Sequence, residues 1–250
     1  MIRGLAIVAM GGAAVAWASI SMSGALREKA WHFPDFAWHV DGDAGTGPTI
    51  RLTGNEPTIN RMLSWAGGEK LEFTVPAHII FTQGPTPAIT ITGPAPLANH
   101  VVLDGDKLRL DRHFDNLDGA HGLTIAITAP TLHEFDLESA QDLHIDHIDT
   151  DVLVIDISGA GNVQANGTAK TLNLTLEGLG NADLAALTLT DATIEIDGLG
   201  HVKAGPTGNA RVEINGAGAV TLTRRPFHLS QEINGAGSID VPPAPPGTTL

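Results

Sequence analysis

The sequence predicts an all-β fold: a parallel β-helix, or β-solenoid, of ~19-residue coils behind an N-terminal apolar helix. Three observations predict it. A short unit recurs five times at a nearly fixed spacing. Apolar and polar residues alternate with period two through most of residues 49–241. Beyond the first 25 residues, no segment shows a helical stripe longer than about two turns.

The unit is clearest in Arg211-Val-Glu-Ile-Asn-Gly-Ala-Gly-Ala-Val220, which returns as Gln231-Glu-Ile-Asn-Gly-Ala-Gly-Ser-Ile239. Looser copies are Ile155-Asp-Ile-Ser-Gly-Ala-Gly-Asn-Val163, Leu174-Thr-Leu-Glu-Gly-Leu-Gly-Asn-Ala182 and Ile194-Glu-Ile-Asp-Gly-Leu-Gly-His-Val202. The first glycines of the copies, Gly159, Gly178, Gly198, Gly216 and Gly235, follow one another at 18 to 20 residues. An earlier copy, Phe135-Asp-Leu-Glu-Ser-Ala-Gln-Asp-Leu143, has lost both glycines.

Aligned on the first glycine, the copies resolve into columns. Four residues before it stand Phe135, Ile155, Leu174, Ile194, Val212 and Gln231; two before it, Leu137, Ile157, Leu176, Ile196, Ile214 and Ile233. Four residues after it stand Leu143, Val163, Ala182, Val202, Val220 and Ile239. These columns point inward. The column between the first two holds Asp136, Asp156, Thr175, Glu195, Glu213 and Glu232 and faces water. Glu138, Glu177 and Asp197 lie beside it.

A single coil cannot bury its aliphatic residues, but coils stacked at ~4.8 Å form parallel sheets around one core. The Gly-x-Gly pairs Gly159/Gly161, Gly178/Gly180, Gly198/Gly200, Gly216/Gly218 and Gly235/Gly237 are all expected where the strand turns a corner. Glycine can adopt a positive φ there and presents no Cβ to the neighbouring coil. Ala160, Leu179, Leu199, Ala217 and Ala236, between the glycines, are expected to cover the corners. A leucine-rich repeat has a similar period, but leucine is fixed in no column here.

The remaining segments follow in order. Residues 1–25 carry one charge, Arg3, ahead of an apolar run ending in Ser23-Gly-Ala25. This reads as a secretory signal cleaved after Ala25 or, at ~20 apolar residues, as a retained membrane anchor. Both readings send the rest of the chain out of the cytoplasm. Residues 26–48 form a linker in which Trp31, Phe33, Phe36 and Trp38 are expected to cap the first rung, or to sit at a membrane surface if the anchor is retained. Strands are expected at 49–53, 70–75, 78–82, 88–92, 107–111 and 123–128, with 110–118 as a polar loop. Residues 242–250, rich in proline, read as a stiff extended tail.

Composition narrows the function. The formal net charge is −14, with 28 acidic residues against 14 Lys and Arg, which argues against nucleic acid as a partner. With no cysteine, the chain has no disulfide and no thiolate metal site. Aromatic residues make up 4%, so the core must be aliphatic.

The Glu-Ile-Asn-Gly-Ala-Gly copies resemble the repeats of the family described as "putative auto-transporter adhesin, head GIN domain". The resemblance extends over residues 49–241, including Leu103-Asp-Gly-Asp-Lys-Leu108 and Ile127-Thr-Ala-Pro-Thr-Leu132. It implies an exported, right-handed β-solenoid without established catalysis, and it brings no catalytic residues. The family's description also speaks of auto-transport, which needs a membrane barrel of ~10-residue strands. Residues 242–250 do not read as one.

Three chemical readings remain. The acid column Asp136, Asp156, Glu195, Glu213 and Glu232 is either a solvated face that keeps sheets apart or a weak Ca²⁺ surface, since hard cations want several carboxylate oxygens. In His144-Ile-Asp-His-Ile-Asp149, alternation separates His144 and Asp146 from His147 and Asp149 unless a corner falls between them, so three ligands do not converge as zinc requires. Parallel β-helices also carry polysaccharide lyases, and Lys203 and Arg211 are the nearest bases to the acid column. The reading carried forward is an exported, non-catalytic binding or structural module of the cell envelope. It needs no cofactor, and its partner is an unidentified envelope or extracellular ligand. A carbohydrate-active enzyme and an anchored signalling accessory are the alternatives.

Overall fold

The computed structural model describes residues 50–51, 55–116 and 122–243. The chain divides into two units, 1–39 and 40–250, and the described residues belong to the second. The expectations for the leader, for the aromatic linker and for residues 244–250 lie outside the described residues. Among the described residues, no helix is long and apolar enough to cross a membrane.

The fold is all-β around a β-solenoid of about five turns. Its N-terminal part contains β1 (Ile50–Arg51), β2 (Thr58–Leu63), β3 (Lys70–Phe73), β4 (Ala77–Gln83) and β5 (Ala88–Pro94). A one-turn helix, α1 (Ala95–Ala98), precedes β6 (Val101–Asp104), β7 (Lys107–Leu110), β8 (Phe114–Asn116) and β9 (Thr124–Ala129). The repeats comprise β10 (Glu134–Leu137), β11 (Ala140–Ile157), β12 (Ala160–Leu176), β13 (Leu179–Ile196) and β14 (Leu199–Pro206). They continue with β15 (Asn209–Ile214), β16 (Ala217–Leu222), β17 (His228–Ile233) and β18 (Ser238–Asp240).

Coils stack in parallel and in register. On the first face, β3, β10, the C-terminal parts of β11, β12 and β13, then β15 and β17 lie side by side. On the second face the order is β4, the N-terminal parts of β11, β12 and β13, then β14, β16 and β18. A shorter third face joins them through Ile148–Thr150, Gly167–Ala169 and Leu187–Leu189. The aliphatic columns make the core: Phe135, Ile155, Leu174, Ile194 and Val212 are each no more than 1% exposed. Burying one such side chain contributes about 1.5–3 kcal/mol.

At the corner between the first two faces, the backbone carries its own ladder. The N–H of Ala160 donates to Ser139 O (3.0 Å), Leu179 to Gly159 O (3.0 Å), Leu199 to Gly178 O (3.0 Å), Ala217 to Gly198 O (3.1 Å) and Ala236 to Gly216 O (3.0 Å). A Cβ on Gly178, Gly198, Gly216 or Gly235 would overlap the carbonyl oxygen of the glycine one coil back. Close approach is therefore what demands glycine at these positions. The positive φ anticipated there is not used: positive-φ glycines among the described residues are Gly67, Gly105 and Gly167. Leu179 and Leu199 do not cover the corner either; they point outward, 37% and 52% exposed.

The two glycines of each pair differ, and the expectation that both turn the chain needs correcting. Gly159, Gly178, Gly198, Gly216 and Gly235 lie in the breaks between strands. Gly161, Gly180, Gly200 and Gly218 already lie inside β12, β13, β14 and β16, and Gly237 immediately precedes β18. They stand one step before Val163, Ala182, Val202, Val220 and Ile239 in the inward alternation of the second face. Their surroundings require a residue without a side chain. A Cβ on Gly180 or Gly200 would overlap the carbonyl oxygen of Gly161 or Gly180. On Gly218 or Gly237 it would come within 2.9 or 2.8 Å of the Ile196 or Ile214 Cγ2 atom on the first face. Gly161 is the least confined, with Gln141 O at 3.3 Å. The second glycine thus lets the first-face aliphatic column pack into the angle between the two sheets.

The copy without glycines solves the corner differently. Gln141 is 3% exposed. Its Nε2 donates to Phe73 O (3.0 Å) and Val75 O (3.1 Å), and its Oε1 accepts from Ser139 N (3.0 Å). A buried side chain thus satisfies the carbonyls of the preceding coil where the backbone ladder begins.

The N-terminal end of the solenoid is sealed. On the first face, β7 pairs parallel with β3 and antiparallel with β6. On the second, β9 pairs parallel with β4, then β5 and β2 follow antiparallel. Helix α1 buries Leu97 and Ala98 completely. Arg61 Nη1 holds the helix end to the start of β6, donating to Ala98 O (3.2 Å), Asn99 O (3.1 Å) and Val101 O (2.8 Å). Strands β2 and β6 and helix α1 lack the coil period, so the repeat does not predict them. Part of the expected polar loop 110–118 forms β8, which pairs with β1.

Candidate functional site

The acid column is built by register. Asp136 pairs with Asp156, Asp156 with Thr175, Thr175 with Glu195, Glu195 with Glu213, and Glu213 with Glu232. One further member lies on the N-terminal side, since Glu72 pairs with Asp136. Strand alternation turns every one of these side chains off the core. Coils stacked at ~4.8 Å crowd them, so all except Glu232 are half-buried and not freely solvated. Like charges on adjacent strands cost about 0.2–1 kcal/mol per pair.

Cations offset that cost at the N-terminal end of the column. Lys70 Nζ lies 2.6 Å from Asp136 Oδ2 and 2.7 Å from Glu134 Oε1. Hydrogen bonds to Asp136 and then Glu134 hold the Lys70 ammonium above the ordinary lysine range. Asp136 Oδ1 is buried with no hydrogen-bond partner among the described residues. Lys107 binds Glu72 and, at 3.2 Å, Glu138. Burial pushes the Glu72 carboxyl up, but hydrogen bonds with Lys107 and Glu138 outweigh it and leave it lowered. Burial and the neighbouring Glu72 push Glu138 up. Burial also raises Asp156; a hydrogen bond with Thr175 opposes the shift and the charge of Asp136 adds to it.

Farther along, Arg211 Nη2 donates to Glu213 Oε2 (2.8 Å). Lys203 stands on the second face, in register with Asp183 and Thr221, and so is not beside the acid column. Lys70 and Lys107 escaped the sequence reading because they come from coils far back in the chain. The period-two pattern of Lys70–Phe73 was the one signal that could have placed them, through its register with Glu134–Leu137.

Side-chain amides form a second set of ladders along the stack. Asn215 Nδ2 donates to Asp197 Oδ1 (2.7 Å), and Asn234 Nδ2 to Asn215 Oδ1 (3.0 Å). On the second face Asn162 Nδ2 donates to Asp142 Oδ1 (2.9 Å), and Asn181 Nδ2 to Asn162 Oδ1 (3.2 Å). Asn166 donates to Asp146 (2.7 Å) and Asn209 to Asp191 (2.7 Å). Every asparagine in these ladders donates toward the preceding coil.

Between His144 and His147 a corner does fall. The register shifts between Ile145 and Ile148, and His147 takes a left-handed conformation, φ 56°. His144 Nε2 lies 3.1 Å from Asp146 Oδ1, while the His147 N–H donates to Asn166 Oδ1 (2.9 Å). Among the described residues no three His, Asp or Glu side chains gather as a metal ion would require. The arrangement is a periodic surface on which Glu72, Glu134, Asp136, Glu138 and Glu213 are engaged by cationic neighbours.

The model of the family described as "putative auto-transporter adhesin, head GIN domain" matches residues 69–226, more than half of the chain. A crystal structure of a putative adhesin from Bacteroides fragilis superposes with a TM-score of 0.64 at 21% identity, covering 77% of this chain and 100% of that one. A putative lipid binding protein from Parabacteroides distasonis gives a TM-score of 0.46 at 16% identity over 78% of this chain and 100% of that one. A putative adhesin from Parabacteroides distasonis gives 0.44 at 14% over 77% and 100%. The first of these likenesses concerns the fold alone. No curated protein matches the chain.

Proposed function

The chain belongs to the putative auto-transporter adhesin, head GIN domain family, and from that premise we propose that it is an exported, non-catalytic binding module of the cell envelope. The first face is the binding surface. The observation that carries this reading is the in-register acid column from Glu72 to Glu232, repeated coil by coil on a rigid sheet. Such a surface offers carboxylates at ~4.8 Å intervals, interrupted once at Thr175, which suits a repetitive, multivalent partner. Beyond Thr175 the column ends in Glu232, its one exposed member. There Glu195 and Glu232 form no ion pair among the described residues, whereas Asp136 is engaged by Lys70. Export is supported by the charge-poor apolar run at residues 4–25.

Two measurements test this. The full chain is immobilised and challenged with cell-envelope fractions, beside a Glu195→Gln/Glu213→Gln/Glu232→Gln variant with the same thermal midpoint. Retention by the parent and loss in the variant is the expected result; equal retention removes the first face as the binding surface. An activity screen on acidic polysaccharides accompanies it, and turnover that Glu195→Gln or Glu213→Gln abolishes would overturn the non-catalytic reading. Fractionation of the producing cells then separates a membrane-held chain with intact Met1 from a soluble one beginning near Leu26. A chain found in the cytoplasm sinks export.

A further inference from the structure

The two ends of the solenoid are finished differently. Antiparallel strands and α1 seal the N-terminal end. At the C-terminal end, β17 pairs only with β15 and β18 only with β16 among the described residues. Leu229 and Ile233 continue the inward columns, yet they are 36% and 41% exposed. Their partners one coil back, Ala210 and Ile214, are 3% and 0% exposed. Phe227, just before β17, is 82% exposed. A solenoid needs its last coil covered or made polar. Unpaired edges are usually guarded by lysine, proline or a bulge. Strand β17 has no lysine or proline and follows β15 with no register shift. Its one departure is Gln231, which occupies the column held by Phe135, Ile155, Leu174, Ile194 and Val212 in earlier coils.

We propose that this rung is an interface between two copies of the chain, packed tail to tail about a two-fold axis through Gln231. Backbone parity supports the register. The N–H groups of His228 and Asn234 donate back to Gly208 O and Ile214 O, so those of Leu229, Gln231 and Ile233 face the open edge. An antiparallel copy centred on Gln231 pairs Gln231 with Gln231 and Leu229 with Ile233, all in hydrogen-bonded positions. Inward residues then meet inward residues, and core continues into core.

Charge agrees with the same axis. Glu232 falls opposite Ser230 and not opposite its own copy, which avoids a like-charge pair. A two-fold axis through the first face exchanges the other two faces, which brings Asp240 toward the turn of Arg224 and Arg225, where Arg225 also donates to Pro242 O of its own chain (3.2 Å). Residues 242–250 are a poorer cover for this edge, because Pro242, Pro243, Pro245 and Pro246 have no N–H to donate. Because a two-fold interface uses the same edge on both copies, the pairing closes at two.

The chain has no cysteine, so one introduced thiol reports alone. In the full chain, expressed and oxidised in its own envelope, Gln231→Cys places two thiols across the axis. Hydrogen-bonded antiparallel partners have Cα atoms about 5.5 Å apart, within disulfide reach. The expected result is a reducible species of twice the mass on a denaturing gel. Ser230→Cys and Ile233→Cys, which face other residues of the copy, stay largely monomeric. Adding Ile233→Lys to Gln231→Cys removes the covalent dimer without lowering the thermal midpoint, a readout that a folding defect would not give. A monomeric Gln231→Cys, as a rung covered by the chain's own tail would yield, overturns the proposal. So does a cross-link to a different protein, or equal dimer from all three cysteine positions.

Discussion

The side-chain amide of Gln141 donates to the carbonyl oxygen of Phe73 at 3.0 Å, across a separation of 68 residues. It joins the repeating coils to the N-terminal segment beside the β3–β10 and β4–β11 ladders. A second bond from the same nitrogen reaches Val75 O, and the side-chain oxygen takes the Ser139 N–H. Replacing Gln141 by Leu removes all three bonds; Phe73 O keeps the Glu138 N–H (3.0 Å), but a buried group left without a partner costs about 1–3 kcal/mol. Urea unfolding of Gln141→Leu is expected to show a loss of about 2–5 kcal/mol. A loss below about 1 kcal/mol would mean that water reaches this corner.

The corner ladder makes a paired prediction. In Gly198→Ala the new methyl meets the Gly178 carbonyl, which itself accepts the Leu199 N–H. The coil must shift, at a cost of about 3 kcal/mol. Leu199→Ala, one residue on, removes an outward side chain that is half exposed. It is expected to change stability by no more than about 0.5 kcal/mol. Chemical denaturation of the two variants, side by side, tests whether backbone approach or apolar cover shapes the corner.

Asp156 predicts a pH dependence. Burial raises its carboxyl above the ordinary value of 3.8. The folded chain therefore holds this proton more tightly than the unfolded chain. Its ionisation lowers stability progressively as pH rises from 3.8 through the folded value, and the full cost is present at neutral pH. Asp156→Asn, which still accepts from Thr175, should melt higher than the parent at pH 7. The gain should fade toward pH 3, where the carboxyl is protonated in both states. A gain that is independent of pH would point to packing instead of charge.

Calcium gives a fourth prediction. A Ca²⁺ surface needs several carboxylate oxygens around one point. In the column Lys70 occupies Asp136, and Arg211 occupies Glu213. Melting curves in Ca²⁺ and in EDTA are expected to coincide. A rise with Ca²⁺ that Glu195→Gln removes would restore the cation reading. Lys70→Met is expected to cost about 1 kcal/mol, less at high salt, since the pair is partly exposed.

Much of the solenoid was legible in the sequence, and the reason is periodicity. Ile155, Leu174, Ile194 and Val212 recur in phase, and two-residue alternation fixes which side chains leave the core. The stacking of Asp136, Asp156, Glu195, Glu213 and Glu232 followed from the same register. Periodicity located both glycines of each pair but did not separate their tasks. That Gly218 sits under Ile196 while Gly216 sits over Gly198 depends on the angle between two sheets, which no single column records. What lay outside the period was not legible. Strands β2 and β6 pair antiparallel, and α1 is a single turn inside Pro94-Ala-Pro-Leu97, so neither repeats anything. Gln141 stands where a glycine is missing, and a one-off substitution has no column to explain it. Lys70 and Lys107 are set against Asp136 and Glu138 by sheet order, which alternation alone does not specify.

The amide ladders carry a grammar for growth. Asparagine both donates and accepts, so it can stand anywhere in a chain of stacked side chains; aspartate only accepts, so it must stand first. Donation between coils runs toward the preceding one, and accordingly Asp142 precedes Asn162 and Asn181, and Asp197 precedes Asn215 and Asn234. A duplicated coil bearing asparagine would extend such a column with every bond kept. A duplicated coil bearing aspartate would interrupt it and set two carboxylates face to face. The molecule's length is thus open to evolution in whole-coil steps, and the admissible steps are written in which coils carry an amide and which an acid.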